Sequence, residues 1–505
     1  MKRLFTLCLV ACAMIAQAKV YTLADLASYV GTIENVYQNS AGEDVTETIG
    51  VAVENGEYVI YLPTKLADGV TGIGYDDNNI VISTKYLTIK TGNSLKVNEG
   101  EVLRFSGAAE LEIEGSLEAT GATFGAAVGF EEKAKGFRIY KEGSAVTLND
   151  CLFEYVGINY GNGSDTGSFY AENCTFYKHN TKGGNAAINF TSLSKGNVIK
   201  DCVFEDNALS SIASGANVSI EVTISGCVFN KSITSTRVYP SINVSTSADN
   251  IIIENNEVHG PAVNTRAGGI AVSNLLGGDN AGTVYVRKNL VENCSYGITL
   301  TGPGNIVMEE NIVRNNKYIA NPNQGGSGLN ITCNTTAEGK IAKAFIRGNH
   351  IEGNIWGVTI IGTNVDINAG KVEDPNAEDY NPGQNVFVDN TGTTDYPHCD
   401  WFNNTITPSY AQGNIWSVEV QDEEHISQNI YMIDGSAVYY MPAGEMATAG
   451  DVNGDGSLDV LDVTAVINII LGNLTEYNSE MADVNGDGQV NVLDVTAMIN
   501  MILGN

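Results

Sequence analysis

The chain has 505 residues, with 27 Lys+Arg against 59 Asp+Glu and a formal charge of −32. That acidity argues against nucleic acid or an anionic membrane surface as a partner. Hydrophobic residues make up 43% and charged residues 17%, with 55 Gly and only 10 Pro, which excludes a disordered or collagen-like chain and leaves apolar side chains for a large core.

At the N-terminus, Lys2 and Arg3 precede an apolar run from Leu4 to Ile15 that ends in Ala16-Gln17-Ala18, the pattern of a secretory signal peptide over residues 1–18. Leu9-Val10-Ala11-Cys12 also resembles a lipobox, which would place a lipid on Cys12. No later stretch is long and apolar enough for a transmembrane helix. Residues 19–90 carry a short helical signal at Thr22 to Tyr29 and then strand-like runs such as Tyr58-Val59-Ile60-Tyr61. They read as an N-terminal cap.

From about residue 91 a register repeats. Cys151-Leu152-Phe153, Cys174-Thr175-Phe176, Cys202-Val203-Phe204 and Cys227-Val228-Phe229 recur every 23 to 28 residues. Downstream the Cys position is taken by Asn, again two residues before an apolar side chain, at Asn256, Asn289, Asn311, Asn349, Asn385 and Asn404; upstream, Ala122 and Phe124 fit. Such a period marks stacked coils, each too small to bury its apolar face alone. Seven Cys remain after the leader, an odd number that speaks for buried thiols over a disulfide framework, although Cys on adjacent coils come within reach of each other.

Each coil also carries a Gly/small-apolar-x-apolar strand, as in Ala187-Ile188-Asn189-Phe190, Gly269-Ile270-Ala271-Val272, Gly297-Ile298-Thr299-Leu300, Gly328-Leu329-Asn330-Ile331 and Gly357-Val358-Thr359-Ile360. The alternation is that of a strand, with Ile, Val, Leu and Phe inward and a small polar row outward. Two residues before the Cys/Asn position, Glu254, Arg287, Glu309 and Arg347 alternate in sign, as partners on neighbouring parallel strands would.

With these coils the sequence resembles the secreted right-handed parallel β-helix proteins of the pectate-lyase-like superfamily. Ser94-Leu95-Lys96-Val97 to Gly115-Ser116-Leu117-Glu118-Ala119 looks like their first coils, and Phe402-Asn403-Asn404-Thr405 with Tyr410 to Trp416 like the last, so the solenoid is expected over 91–420 and a short β segment and linker over 421–448.

The last 55 residues contain nine carboxylates and no Lys or Arg. Asp451-Val452-Asn453-Gly454-Asp455-Gly456 and Asp483-Val484-Asn485-Gly486-Asp487-Gly488 are near-copies 32 residues apart. Each resembles an EF-hand loop, with oxygens from Asp451, Asn453 and Asp455 or from Asp483, Asn485 and Asp487, carbonyls from Ser457 and Gln489, then Asp459 or Asn491 and Asp462 or Asp494. A helix follows each loop, with apolar Val463, Val466, Ile467 and Ile470 or Val495, Met498, Ile499 and Ile502. Loop then helix, duplicated, resembles a type I dockerin module over 449–505, small and all-α. The resemblance implies two Ca²⁺ ions and a cohesin-like partner. In dockerins the residues at Val460-Leu461 and Val492-Leu493 help choose that partner; packing inside the module is the other reading of these four.

The expected fold is therefore mainly β, a right-handed parallel β-helix followed by a small calcium-binding dockerin-like domain. Dockerins typically accompany secreted polysaccharide-degrading proteins, so the resemblance implies a protein at the surface of, or exported from, a bacterium that binds or acts on a polysaccharide, with a lyase or glycoside hydrolase as its enzymatic form and a non-catalytic adhesive or structural protein as the alternative. No polygalacturonase-type motif is present. One row, His259, Glu292, Arg314 and Glu352, falls three residues after the repeated position on consecutive coils and is the candidate for catalysis, or else an ion-pair row. The acidic insertion from Gly362 to Gln384 is expected to overhang the Asn/Thr strand face, with Trp356 and Tyr296 as sugar platforms.

Overall fold

A computed structural model of the chain describes residues 18–163, 167–179, 186–215, 218–232, 239–245, 250–275, 282–335, 338–397, 399–444, 450–453, 458–474, 477 and 479–503. Residues 1–17 of the signal-peptide segment, with Cys12, and Gly454 to Ser457 of the first acidic loop lie outside them. No helix among the described residues is long and apolar enough to cross a membrane.

Three long sheets run the length of the main domain, and each coil contributes one strand to each in turn. The first complete coil shows the order: Ser94–Val97 in sheet one, Val102–Phe105 in sheet two and Glu110–Ile113 in sheet three, followed by Leu117–Thr120 back in sheet one. Pairing from coil to coil is parallel and in register, as in Val291 opposite Val258 and Val313. Side chains therefore repeat at about 4.8 Å along each row. Inward residues such as Leu95, Phe124, Ile270 and Ile346 form one continuous core, with Phe153, Phe176, Phe204 and Phe229 stacked at 4.6, 5.0 and 4.8 Å between centroids.

The repeated Cys/Asn position follows a turn residue in the left-handed region, including Asp150, Asn173, Asp201, Asn255, Lys288, Glu310 and Gln384. Buried Asn then closes the turn and binds the next coil: Asn289 Nδ2 donates to Asn311 Oδ1 at 3.0 Å, Asn311 to Asn349 at 2.9 Å and Asn349 to Asn385 at 2.8 Å. The ladder ends on Asn414, whose Oδ1 accepts from Asn385 Nδ2 at 2.8 Å, and not on Asn404. Asn404 ends a strand of sheet three, Trp401–Asn404, whereas Gly413 supplies the left-handed turn that the position requires. A second ladder, unread in the sequence, follows five residues later through Asn316, Asn354 and Asn390.

The ends are covered. Residues 19–90 include the helix Leu23–Val30, capped by Thr22 and Asp25, and two antiparallel extensions that pair onto Val102–Phe105 and Glu110–Ile113. Beyond residue 421 the chain continues the solenoid: Ile430–Met432 pairs with Trp401–Asn404, and Val438–Tyr439 with Ser409–Tyr410. The insertion after Gly362 does not overhang sheet three. It starts with Val365–Asn368, a strand of sheet one, and Lys371 returns over Tyr410 of that same sheet. Trp356 is buried against Phe402, so it offers no platform.

The tail has its own small core of Val463, Val466, Ile469, Ala482 and Met498. Packing uses Val463, Val466 and Ile469 of the helix Val460–Ile470, so Ile467 and Ile470, expected inside, face outward. The same holds for Ile499 and Ile502 of the helix Val492–Leu503.

Candidate functional site

Sheet three presents one outward residue per coil in an unbroken row. From Thr88 it runs through Glu112, Arg138, Asn159, Asn189, Ala213, Asn243, Ala271, Thr299 and Asn330 to Thr359. Near the N-terminal end this row floors a groove of about 570 Å³ lined by Tyr86, Glu110, Lys135, Arg138, Tyr140 and Asn189 among others.

Arg138 occupies the outward place of Gly136–Ile139. Its guanidinium lies 5.1 Å from the centroid of Tyr86 and 4.3 Å from that of Tyr140, and Nη1 donates to the Tyr86 hydroxyl. Two aromatic rings thus hold the charge in place and remove part of its hydration. Its nearest carboxylate, on Glu112, is 3.8 Å away and also accepts from Thr88 at 3.1 Å. That pairing is longer than a hydrogen bond, and Arg138 lines the groove. Lys135 stands 3.7 Å from Glu110, and its own side chain is half exposed. Burial raises the Glu110 carboxyl above the ordinary range, and Lys135 and Arg138 only partly oppose it. His179 lines the same groove from below, buried, with its imidazole pushed down to about 4 by desolvation.

The arrangement offers cations that can meet carboxylates, amides for hydroxyls, and a Glu110 carboxyl held above the ordinary range 3.7 Å from Lys135. None of these residues stood out from the sequence alone. The signal was present: Gly136-Phe137-Arg138-Ile139 has the same small-apolar-x-apolar pattern as the strands read downstream, with Arg at the outward position.

The row singled out from the sequence lies elsewhere, on sheet two. His259, Glu292, Arg314 and Glu352 are consecutive rungs. His259 Nδ1 is 2.9 Å from Glu292, Arg314 Nε is 2.7 Å from Glu292, and His350 is 3.3 Å from Glu352. Burial opposes ionisation of Glu292, but hydrogen bonds from Arg314 and His259 outweigh it and hold the carboxyl low. The row Glu254, Arg287, Glu309 and Arg347 on sheet one pairs likewise, Arg287 to Glu254 at 2.7 Å and Arg347 to Glu309 at 2.9 Å. Tyr296 joins Thr299, Asn330 and Thr332 in a smaller polar groove farther along sheet three.

In the tail, the aspartate at the end of each loop makes equivalent contacts. Asp462 accepts from the amides of Asn453 and Asp459 at 3.0 and 2.9 Å, and Asp494 from those of Asn485 and Asn491 at 3.1 and 2.8 Å. Asp483 accepts from Asp487 and Gly488, Asn485 from Asp487, and Asp487 from Gln489. The oxygens of Asp483, Asn485, Asp487 and Asp494 therefore turn into one loop, and a mixed carboxylate, amide and carbonyl set suits a hard cation. Among the described residues no three His, Cys, Asp or Glu are gathered as a metal cluster. Val460, Leu461, Val492 and Leu493 are 68%, 58%, 63% and 58% exposed, and do not pack within the module.

Comparison with known proteins identifies the tail. Residues 449–503 match the family model of the dockerin type I domain. No curated protein matches the chain. Solved structures of the periplasmic alginate epimerase AlgG, the unsubstituted protein and a single-site mutant of it, share 13% and 12% identity. Each comparison covers 85% of this chain and 84% of the other at a TM-score of 0.44. Dockerin type I domains bind calcium and attach their carriers to cohesins. The chain is a parallel β-helix that carries a C-terminal dockerin type I domain.

Proposed function

We propose that the protein is exported, held by its dockerin on a cohesin-bearing partner, and binds an acidic polysaccharide in the sheet-three groove. The observation that carries the reading is Arg138, clamped between Tyr86 and Tyr140 and lining a groove that Lys135 also borders. A carboxylate-bearing sugar satisfies both cations, while the overall charge of −32 disfavours polyanions everywhere except at such a local cluster. Asn159 and Asn189, which bond each other at 3.2 Å, extend the floor by two rungs for neighbouring hydroxyls. If the bound sugar reacts, the Lys135–Glu110 pair is the group placed to move a proton, and the paired row at His259, Glu292, Arg314 and Glu352 is a brace between coils.

In the tail, two calcium ions fill the two loops, one held by Asp451, Asn453, Asp455, Ser457, Asp459 and Asp462, the other by Asp483, Asn485, Asp487, Gln489, Asn491 and Asp494. The exposed pairs Val460-Leu461 and Val492-Leu493 are the contacts for cohesin, since four apolar side chains left in water seek a cover.

The test is a panel of polysaccharides offered to the full chain with calcium: polygalacturonate, alginate and hyaluronan against neutral glucans and mannans, with unsaturated ends and reducing ends read in the same samples. Retention on the uronate-containing polymers supports the reading, and product formation from one of them would add catalysis. No retention on any uronate polymer would refute it.

A further inference from the structure

Sheet one has its own outward row, and its C-terminal half is unusually apolar for a solvent face: Ile252, Tyr285, Val307, Phe345, Asn368, Tyr410 and Tyr439 follow one another rung by rung. Three aromatics of this row are two rungs apart, Tyr285, Phe345 and Tyr410, so their rings recur at about 9.6 Å. That interval is close to the disaccharide repeat of an extended β-1,4-linked glycan. Between Phe345 and Tyr410 the rung is the short Asn368, and the gap opens as a cavity of about 260 Å³, the size of a monosaccharide or two.

The lining sets the ligand's charge. Lys343 and Lys371 are matched by Asp366 and Asp379, with Lys371 paired to Asp379 and set over Tyr410 at 4.9 Å from its centroid. Equal numbers of each sign leave no excess cation for a carboxylate, in contrast to the Arg138 groove. Asn305 and Asn368 add amides to the lining, and Asn368 is fixed by donating to the Asp379 carbonyl at 2.7 Å. Tyr410 is already faced by Lys371 and packed on Tyr439 at 5.3 Å, so it walls the gap with its edge, and the Phe345 ring with paired polar groups at the rim favours the apolar face and equatorial hydroxyls of a neutral hexose.

We propose that sheet one carries a second glycan site, centred between Phe345 and Tyr410, that takes a neutral β-1,4-linked hexose chain running along the solenoid axis. The site stands on a different sheet from the Arg138 groove and does not depend on it.

Calorimetric titration of the full chain, calcium present, with cellohexaose, mannohexaose and tetragalacturonate tests this. A neutral hexasaccharide binds, and binding weakens at least tenfold in Phe345→Ala and in Asn368→Trp, which fills the gap without removing a ring. Arg138→Ala leaves it unchanged, and Tyr410→Phe retains it. Should a ring truncation unfold the chain, Asn368→Trp on an outward rung still decides. Absence of neutral binding at millimolar sugar, indifference to both variants, or loss in Arg138→Ala would overturn the proposal.

Discussion

Arg138 and Tyr140 stand two residues apart on one strand edge, with the guanidinium carbon 4.3 Å from the ring centroid, and Tyr86 closes the other side at 5.1 Å. A lysine cannot reproduce this: it keeps the charge but neither stacks as a plane nor presents a fork to a carboxylate. Arg138→Lys is expected to weaken binding of tetragalacturonate about tenfold, roughly 1.4 kcal/mol, while leaving thermal unfolding within a degree or two. Equal affinity of the two proteins would show that only net charge matters.

His179 predicts an acid limb of stability. It stays neutral in the folded chain down to about 4, whereas in the unfolded chain it titrates near the ordinary 6.5. The unfolded state therefore binds the extra proton, and stability is full above pH 6.5 and falls as pH drops towards 4, by about 3 kcal/mol in all. Urea-unfolding midpoints across that range should slope for the wild type and flatten for His179→Gln.

The Asn ladder is expected to be costly to interrupt. Asn349 donates to Met308 O, Arg347 O and Asn385 Oδ1 and accepts from the Asn311 amide and side chain. Asn349→Ala strands several buried partners at once and should destabilise by about 2–4 kcal/mol. Asn404→Ala, off the ladder and half-buried, should cost under about 1 kcal/mol. Comparable losses at the two positions would contradict the assignment of the ladder's end to Asn414.

Calcium removal should divide the molecule. With EGTA, the helices Val460–Ile470 and Val492–Leu503 should lose protease resistance, because the acidic loops repel without a cation, while the solenoid keeps its β-type circular dichroism. Changing Val460-Leu461 alone to Asp-Asp should leave most cohesin binding, and changing Val492-Leu493 as well should abolish it with calcium still bound. Collapse of the solenoid in EGTA, or calcium release by the double change, would contradict this division.

The solenoid was legible because each coil must satisfy the same turn. A left-handed residue followed by a small buried Cys or Asn repeats from Asp150-Cys151 to Gln384-Asn385, and the stacked Phe or Val two residues later confirms the period. The end of the ladder was misread because Asn404 has an apolar neighbour two residues on, Ile406, yet lacks the turn before it. The second ladder has no sequence signature of this kind, since its position holds Val156, His179, Asn207, Ser232, Pro261, Cys294 and Asn316 in turn, with no common chemistry. The groove residues were hidden for a different reason. Tyr86 and Glu110 come from earlier coils than Lys135 and Arg138, and only coil stacking brings them together, whereas His259 and Glu292 announced themselves by spacing and turned out to be paired with each other.

The central claim is that the Arg138 groove receives an acidic glycan. Titrating tetragalacturonate and cellohexaose into the wild type and into Arg138→Ala, at low and at high salt, tests it most directly. The account predicts wild-type binding of the uronate that weakens with salt and drops at least tenfold in the variant, with cellohexaose unaffected by the change. Uronate affinity that is absent from the wild type, or equal in the two proteins, would contradict it.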